Sequence, residues 1–253
     1  MSTKVIDYTN FKKEHLCCVL RDRNNEGRIA AKREWLETVF EDGLVIRKGD
    51  VAGKVFMEYI PADDAWCPVD APGYMFIHCY RVEERFRDFG LEKEIWREVV
   101  AECRIKHKVG LCALAGKEDM PYLNRKGDLE ALGFRFAAMA DPYFESWYYP
   151  LEEYAEAPQF SPELMEAVPD TEKGFLLYYS HQCPHTAKAV PLLQAKAAEL
   201  GVPLKVVYLE KVKEARAIPC AYTTFALFYN GEFYLMFLLK AFYLHFQYHI
   251  LVL

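Results

Sequence analysis

Two short stretches carry residue types that could do chemistry. The first is RFRDFGLEKEIW, residues 85–96, where an apolar run, GYMFIHC, gives way to a helical one. The first turn of a helix leaves N–H groups unpaired and carries the positive end of the dipole, so a strand–loop–helix junction can hold a pyrophosphate. Gly90 would let the backbone approach such a ligand. Glu83, Glu84, Asp88, Glu92 and Glu94 crowd the same junction, and Arg85, Arg87 and Lys93 offset part of their charge. Taken alone, the loop is equally an ordinary strand–helix junction. The second stretch is SHQCPHT, residues 180–186. Cys183 lies there between a strand and a helix, and a helix N-terminus lowers a thiol's pKa. Thr186 stands where a dithiol motif needs its second cysteine, which leaves Cys183 a one-thiol role or none. His181, Cys183 and His185 lack the distant fourth ligand of structural zinc spacings, so no metal is expected.

The elements that must position these residues follow from periodicity. Residues 4–7 read as a short strand. Residues 29–41 carry Trp35, Leu36, Val39 and Phe40 at helical spacing, and Gly43 stops that helix. LVIRKGDVAGKVFMEYIPA reads as two strands joined by a turn, and Tyr74 to Val82 as a third. Leu91, Ile95, Trp96, Val99, Val100 and Cys103 mark a helix over 90–106. A buried strand over 109–115, a helix over 119–132 and two closing strands, FRFAAMA and ESWYYPL, complete a mixed α/β domain, residues 1–150. Residues 151–171, rich in proline and acids, read as a connector or strap. A second, smaller unit, 172–253, runs strand GFLLYYS, helix from Cys183 to Gly201, strand LKVVYLE, and a hairpin turning at Asn230-Gly231. Strand–helix–strand–hairpin is a minimal thioredoxin-like order.

Composition narrows the function. The 253 residues are 52% hydrophobic with a net charge of −6, which describes a folded globular protein without electrostatic attraction to nucleic acid. The N-terminus, MSTKVIDYTNFKKEH, lacks the order of a secretory signal, so a cytoplasmic protein is expected. The eight cysteines are scattered with no C-x-x-C spacing and read as buried free thiols, the pair Cys17-Cys18 included. The last 21 residues, 233–253, include 17 apolar ones and a single formal charge, Lys240. Their aromatics are spread throughout instead of gathered at the ends. A packed segment or an altered reading frame is favoured over a membrane tail.

The order helix, strand hairpin, strand, R-x-x-G loop, helix, strand, helix, L-G-F, strand resembles the GCN5-related N-acetyltransferase (GNAT) superfamily. Within it the chain resembles the YoaP-like subfamily, through KREWL (32–36), FEDGLV (40–45), GKVFMEYIPADDAWCPVDAPGYMFI (53–77), LEALGF (129–134), PYFE (142–145) and the C-terminal block. The resemblance implies an acetyltransferase fold followed by a thioredoxin-like YoaP domain. It implies acetyl transfer from acetyl-coenzyme A to an amine of a small molecule or peptide, without a metal. Pantetheine would lie along 74–82 and the pyrophosphate on the N–H groups of Arg87, Asp88, Phe89, Gly90, Leu91 and Glu92. A backbone amide near Tyr80, Arg81 or Val82 would polarise the thioester carbonyl.

Glu58, the one acid in an apolar strand, is the candidate base, and Tyr122 the candidate proton donor to the leaving thiolate. Glu92 stands where the family keeps glycine or alanine, and Leu129 where it keeps a tyrosine. A second expectation is therefore a binding module that kept the fold. A third is one-thiol redox chemistry at Cys183. The acidic balance favours a cationic acceptor.

Overall fold

The structure is a computed structural model that describes residues 2–16, 25–120, 122–166 and 173–234. β1 (Thr3–Ile6) precedes α1 (Glu26–Val39), whose Trp35, Leu36 and Val39 form a buried stripe. Gly43 (φ +91°) turns the chain in the left-handed region, where a side chain would be strained. β2 (Val45–Gly49) and β3 (Val55–Pro61) form a hairpin. Then come β4 (Val69–Asp70), β5 (Tyr74–Val82), α2 (Leu91–Ile105), β6 (Gly110–Gly116), α3 (Lys126–Ala131), β7 (Arg135–Ala140) and β8 (Phe144–Pro150). Seven strands make one sheet in the order β1-β2-β3-β5-β6-β8-β7. Its one parallel pair is β5 with β6. Leu91, Ile95, Val99 and Cys103 on α2 pack against Val55, Met57, Tyr59, Met75 and Ile77 on one face of this sheet. The mixed α/β architecture expected from the sequence is the one observed.

The remaining elements are β9 (Gln159–Phe160), which pairs with β4, α4 (Pro162–Glu166), β10 (Phe175–Tyr179), α5 (Thr186–Glu199), β11 (Leu204–Tyr208), α6 (Val212–Arg216), β12 (Phe225–Tyr229) and β13 (Glu232–Phe233). Their sheet runs β11-β10-β12-β13. β10 and β11 are parallel across α5, and β12 turns into β13 at Asn230 (φ +50°) and Gly231 (φ +84°), the geometry a tight hairpin needs. The two sheets share a hydrophobic cluster: Trp35, Trp66 and Phe76 belong to it together with Leu176, Ile218, Ala221 and Phe228. Hydrogen bonds line the same seam. Arg216 donates to the carbonyls of Ala62 and Val69 (3.2 and 2.7 Å), Cys67 Sγ to that of Ala221 (3.5 Å), and Thr223 to that of Trp66.

Three expectations are corrected. The helix expected over 119–132 is only α3, because Asn124 is drawn into the sheet and Tyr122 has a left-handed backbone (φ +66°). α5 starts at Thr186, three residues after Cys183, because Thr186 turns its hydroxyl back onto the carbonyls of Ser180 and Cys183 (2.9 and 2.8 Å). α6 was not expected: its five residues show no helical repeat of apolar positions. Cys17, Cys18 and the tail from 235 lie outside the described residues. No described helix is long and apolar enough to cross a membrane. The six described cysteines are free thiols.

Candidate active site

β5 is bulged and half-paired at its C-terminal end. Against β3, Cys79 faces Glu58 but Ile77 faces Tyr59, so His78 is an extra residue. Against β6, the ladder stops at the Ile77–Ala113 pair, while β6 continues along β8 to Gly116. The strands therefore part, and Asn124 fills the fork. Its Oδ1 accepts from the Tyr80 N–H (2.7 Å) and its Nδ2 donates to the carbonyls of Ile77 and Leu114 (3.3 and 3.0 Å). The Tyr80 amide is thereby engaged. The Val82 amide, two residues on, points to the same edge of the strand.

On the face of β3 and β5 turned toward the C-terminal unit lies a pocket of about 230 Å³. Glu58 is at its wall, 2% exposed, and is bound by Lys32 of α1 at 2.8 and 3.0 Å. The Lys32 ammonium has a third acceptor, the Gln182 carbonyl at 2.6 Å, and lies 4.1 Å from the centre of the Trp35 ring. All three donors are thus used, which is what a buried ammonium needs. His78 also lines the pocket. Burial, then the Lys32 charge, pushes its imidazole down to about 3, so it is neutral. Its Nε2 accepts from the Trp66 N–H (3.2 Å), which assigns the proton to Nδ1. That Nδ1 lies 3.8 Å from Glu58 and has no hydrogen-bond partner among the described residues.

The loop after β5 has a different character. Residues 84–89 form a 3₁₀ helix, and Gly90 (φ +72°) leads into α2 with no side-chain cap and open space around its Cα. Gly53 in the β2–β3 turn lies under this loop; a Cβ there would meet Phe86 at 2.0 Å. The loop's arginines are occupied. Arg85 binds Glu83 (2.9 Å) and the Ala52 carbonyl (2.5 Å), and Arg87 binds Glu84 and Asp128 (both 2.9 Å). Glu92 Oε2 is buried without a partner among the described residues. Its field and that of Asp128, after burial, help hold the Tyr80 phenol well above its ordinary value.

The uncharacterized N-acetyltransferase YoaP of Bacillus subtilis (strain 168) is 32% identical to this chain over 224 residues, 88% of this chain and 89% of that protein. The chain belongs to the YoaP-like family. The family profile itself matches residues 203–234. Among solved structures, a putative GNAT-family acetyltransferase from Desulfovibrio desulfuricans covers 60% of this chain and all of its own (TM-score 0.40, 14% identity). A Bacillus subtilis acetyltransferase in complex with CoA covers 59% of this chain and 98% of its own (TM-score 0.38, 12% identity).

In this YoaP-like chain the pocket brings together Glu58, Tyr122, Arg81, Cys183 and His185, five residues singled out in the sequence. Tyr122 is 42% exposed, its ring 5.0 Å from that of His185. Burial pushes the Cys183 thiol up to about 11, so the lowering expected at a helix N-terminus is reversed. His181 is held by Thr186 (3.2 Å) and packed on Tyr179 and Tyr208. Among the described residues no cluster of His, Cys, Asp or Glu could hold a metal. Lys32, His78, Asn124 and Gln182 escaped the sequence reading. Only His78 left a signal: a polar residue inside the apolar run 74–80.

Proposed function

We propose that the protein transfers the acetyl group of acetyl-coenzyme A to a primary amine by direct attack. The observation that carries this is the parting of β5 from β6 beside the Glu58 pocket. Pantetheine lies along β5 beyond Ile77, with its pyrophosphate on the uncapped first turn of α2 and on the backbone of Arg87, Asp88, Phe89, Gly90, Leu91 and Glu92. The thioester carbonyl points at the Val82 amide, since Tyr80 already serves Asn124. The amine sits in the pocket and gives its proton to Glu58, directly or through one water. Its nitrogen bonds to the carbonyl carbon. The intermediate then expels the coenzyme A thiolate, which takes a proton from Tyr122, and water carries the proton held by Glu58 back to the exposed tyrosine.

The test is a discontinuous assay of the full chain with acetyl-coenzyme A and a panel of amines, following free thiol and identifying products by mass spectrometry. Amine-dependent thiol release with an N-acetyl product is expected. Absence of both, with acetyl-coenzyme A binding no tighter than about millimolar, would support the binding-module reading. That second reading draws on the engaged arginines and buried Glu92 carboxylate of the loop.

A further inference from the structure

The pocket's charges do not match a cationic acceptor. Phe56 and Glu58 on β3, and Lys54 just before it, alternate at two-residue spacing and all line the pocket, and Arg81 on β5 is paired with Phe56, between the other two. Lys54 and Arg81 both line the pocket, and neither has a carboxylate partner among the described residues. Among the described residues Arg81 makes one side-chain hydrogen bond, from Nη1 to the Tyr80 carbonyl at 3.1 Å. The pocket's one carboxylate, Glu58, is already matched by Lys32. Two positive charges are therefore left over in a half-enclosed space, on a chain whose net charge is −6.

Two buried polar atoms of residues lining the same pocket also lack partners among the described residues: the Nδ1 of His78, whose side chain is 0% exposed, and the Oε1 of Gln182. Gln182 Oε1 can only accept a hydrogen bond, and Glu58 likewise. An ammonium or amine meets the needs of these two acceptors, Gln182 Oε1 and Glu58. Unpaired guanidinium and ammonium groups meet theirs with a carboxylate or phosphate, which a guanidinium can bind with two parallel hydrogen bonds.

We propose that the acceptor is a small molecule carrying both an amine and an anionic group, the amine placed between Glu58 and Gln182 and the anion held by Arg81 and Lys54. This rests on the transferase reading for the reaction, but not for the binding. The C-terminal unit then supplies part of acceptor recognition, through Gln182, and is more than an appended domain.

Matched pairs test it on the full chain: L-lysine against cadaverine, L-phenylalanine against phenethylamine, and phosphoethanolamine against ethanolamine. The anionic member of each pair that reacts is expected to have a kcat/KM at least about tenfold higher, as a charge-assisted contact warrants. The first two pairs against the third separate carboxylate from phosphate. Arg81→Gln and Lys54→Gln are each expected to shrink the ratio, and the double variant to bring it near one. Arg81→Lys should keep part of it, and thermal melts confirm that all variants fold. Equal turnover within every pair, or a ratio that survives the double variant, overturns the proposal. If no amine reacts, calorimetric titration of the three anionic members in the presence of coenzyme A decides. Binding lost in the double variant upholds the anion site and sinks the transferase reading alone. No binding up to about 10 mM overturns the site as well.

Discussion

The loop after β5 and the pocket beside β3 are built on opposite electrostatic plans. In the loop, where a pyrophosphate would sit, Arg85 and Arg87 are bound by Glu83, Glu84 and Asp128, and Glu92 is left without a partner. In the pocket, where an amine would sit, the carboxylate is matched by Lys32 while Arg81 and Lys54 are left over. The difference teaches where each ligand's affinity must come from. At the loop it would come from main-chain N–H groups and the helix dipole, working against nearby side chains. At the pocket it would come from side chains, which a single substitution can remove.

Breaking the pocket should have the largest effect. Lys32→Met leaves the Glu58 charge buried and alone, and should cost about 3–5 kcal/mol in urea unfolding. Lys32→Met combined with Glu58→Met should recover most of that stability and none of the activity. Glu58→Gln alone should lower kcat by about 10²–10⁴-fold, with KM for acetyl-coenzyme A unchanged, as stopped-time assays would measure. A fall in acetyl-coenzyme A affinity instead would move Glu58 out of the acceptor side.

The pH dependence of stability sharpens the comparison further. His78 titrates near 6.5 in the unfolded chain and at about 3 when folded, because burial opposes its charge. The unfolded chain therefore binds the extra proton first. Stability from this group is complete above pH 6.5 and falls as pH drops through the window down to about 3. Melting temperatures of the native chain should decline over that window, and those of His78→Gln should decline less. The smallest effect is expected at the loop: Glu92→Gln should tighten acetyl-coenzyme A binding by about threefold, read by calorimetry. Weaker binding in that variant would mean the carboxylate does not oppose the phosphate.

The elements were largely legible because their apolar residues repeat at clear periods. α2 and β5 fall within a residue of the expected bounds, since Leu91, Ile95, Val99 and Cys103 mark one face and Tyr74 to Val82 an unbroken strand. The 119–132 helix failed because periodicity carries no trace of Asn124, whose fixed position depends on carbonyls 10 and 47 residues away in the chain. The site was half legible. Glu58 stands out as a charge in an apolar strand. Lys32 sits in a helix that reads as amphipathic, and nothing local shows that its partners are 26 and 150 residues away. Cys183 illustrates the converse: its local motif promises a reactive thiolate, and burial by distant elements withdraws it.

The seam between the two sheets has a directional grammar. Arg216, Thr223 and Cys67 each donate across it to a main-chain carbonyl, of Ala62 and Val69, of Trp66, and of Ala221. Any amino acid but one with altered backbone shape presents the same oxygen. The receiving positions can therefore diverge among relatives without a compensating change opposite them, and paired substitutions would be a poor guide to how these two halves fit.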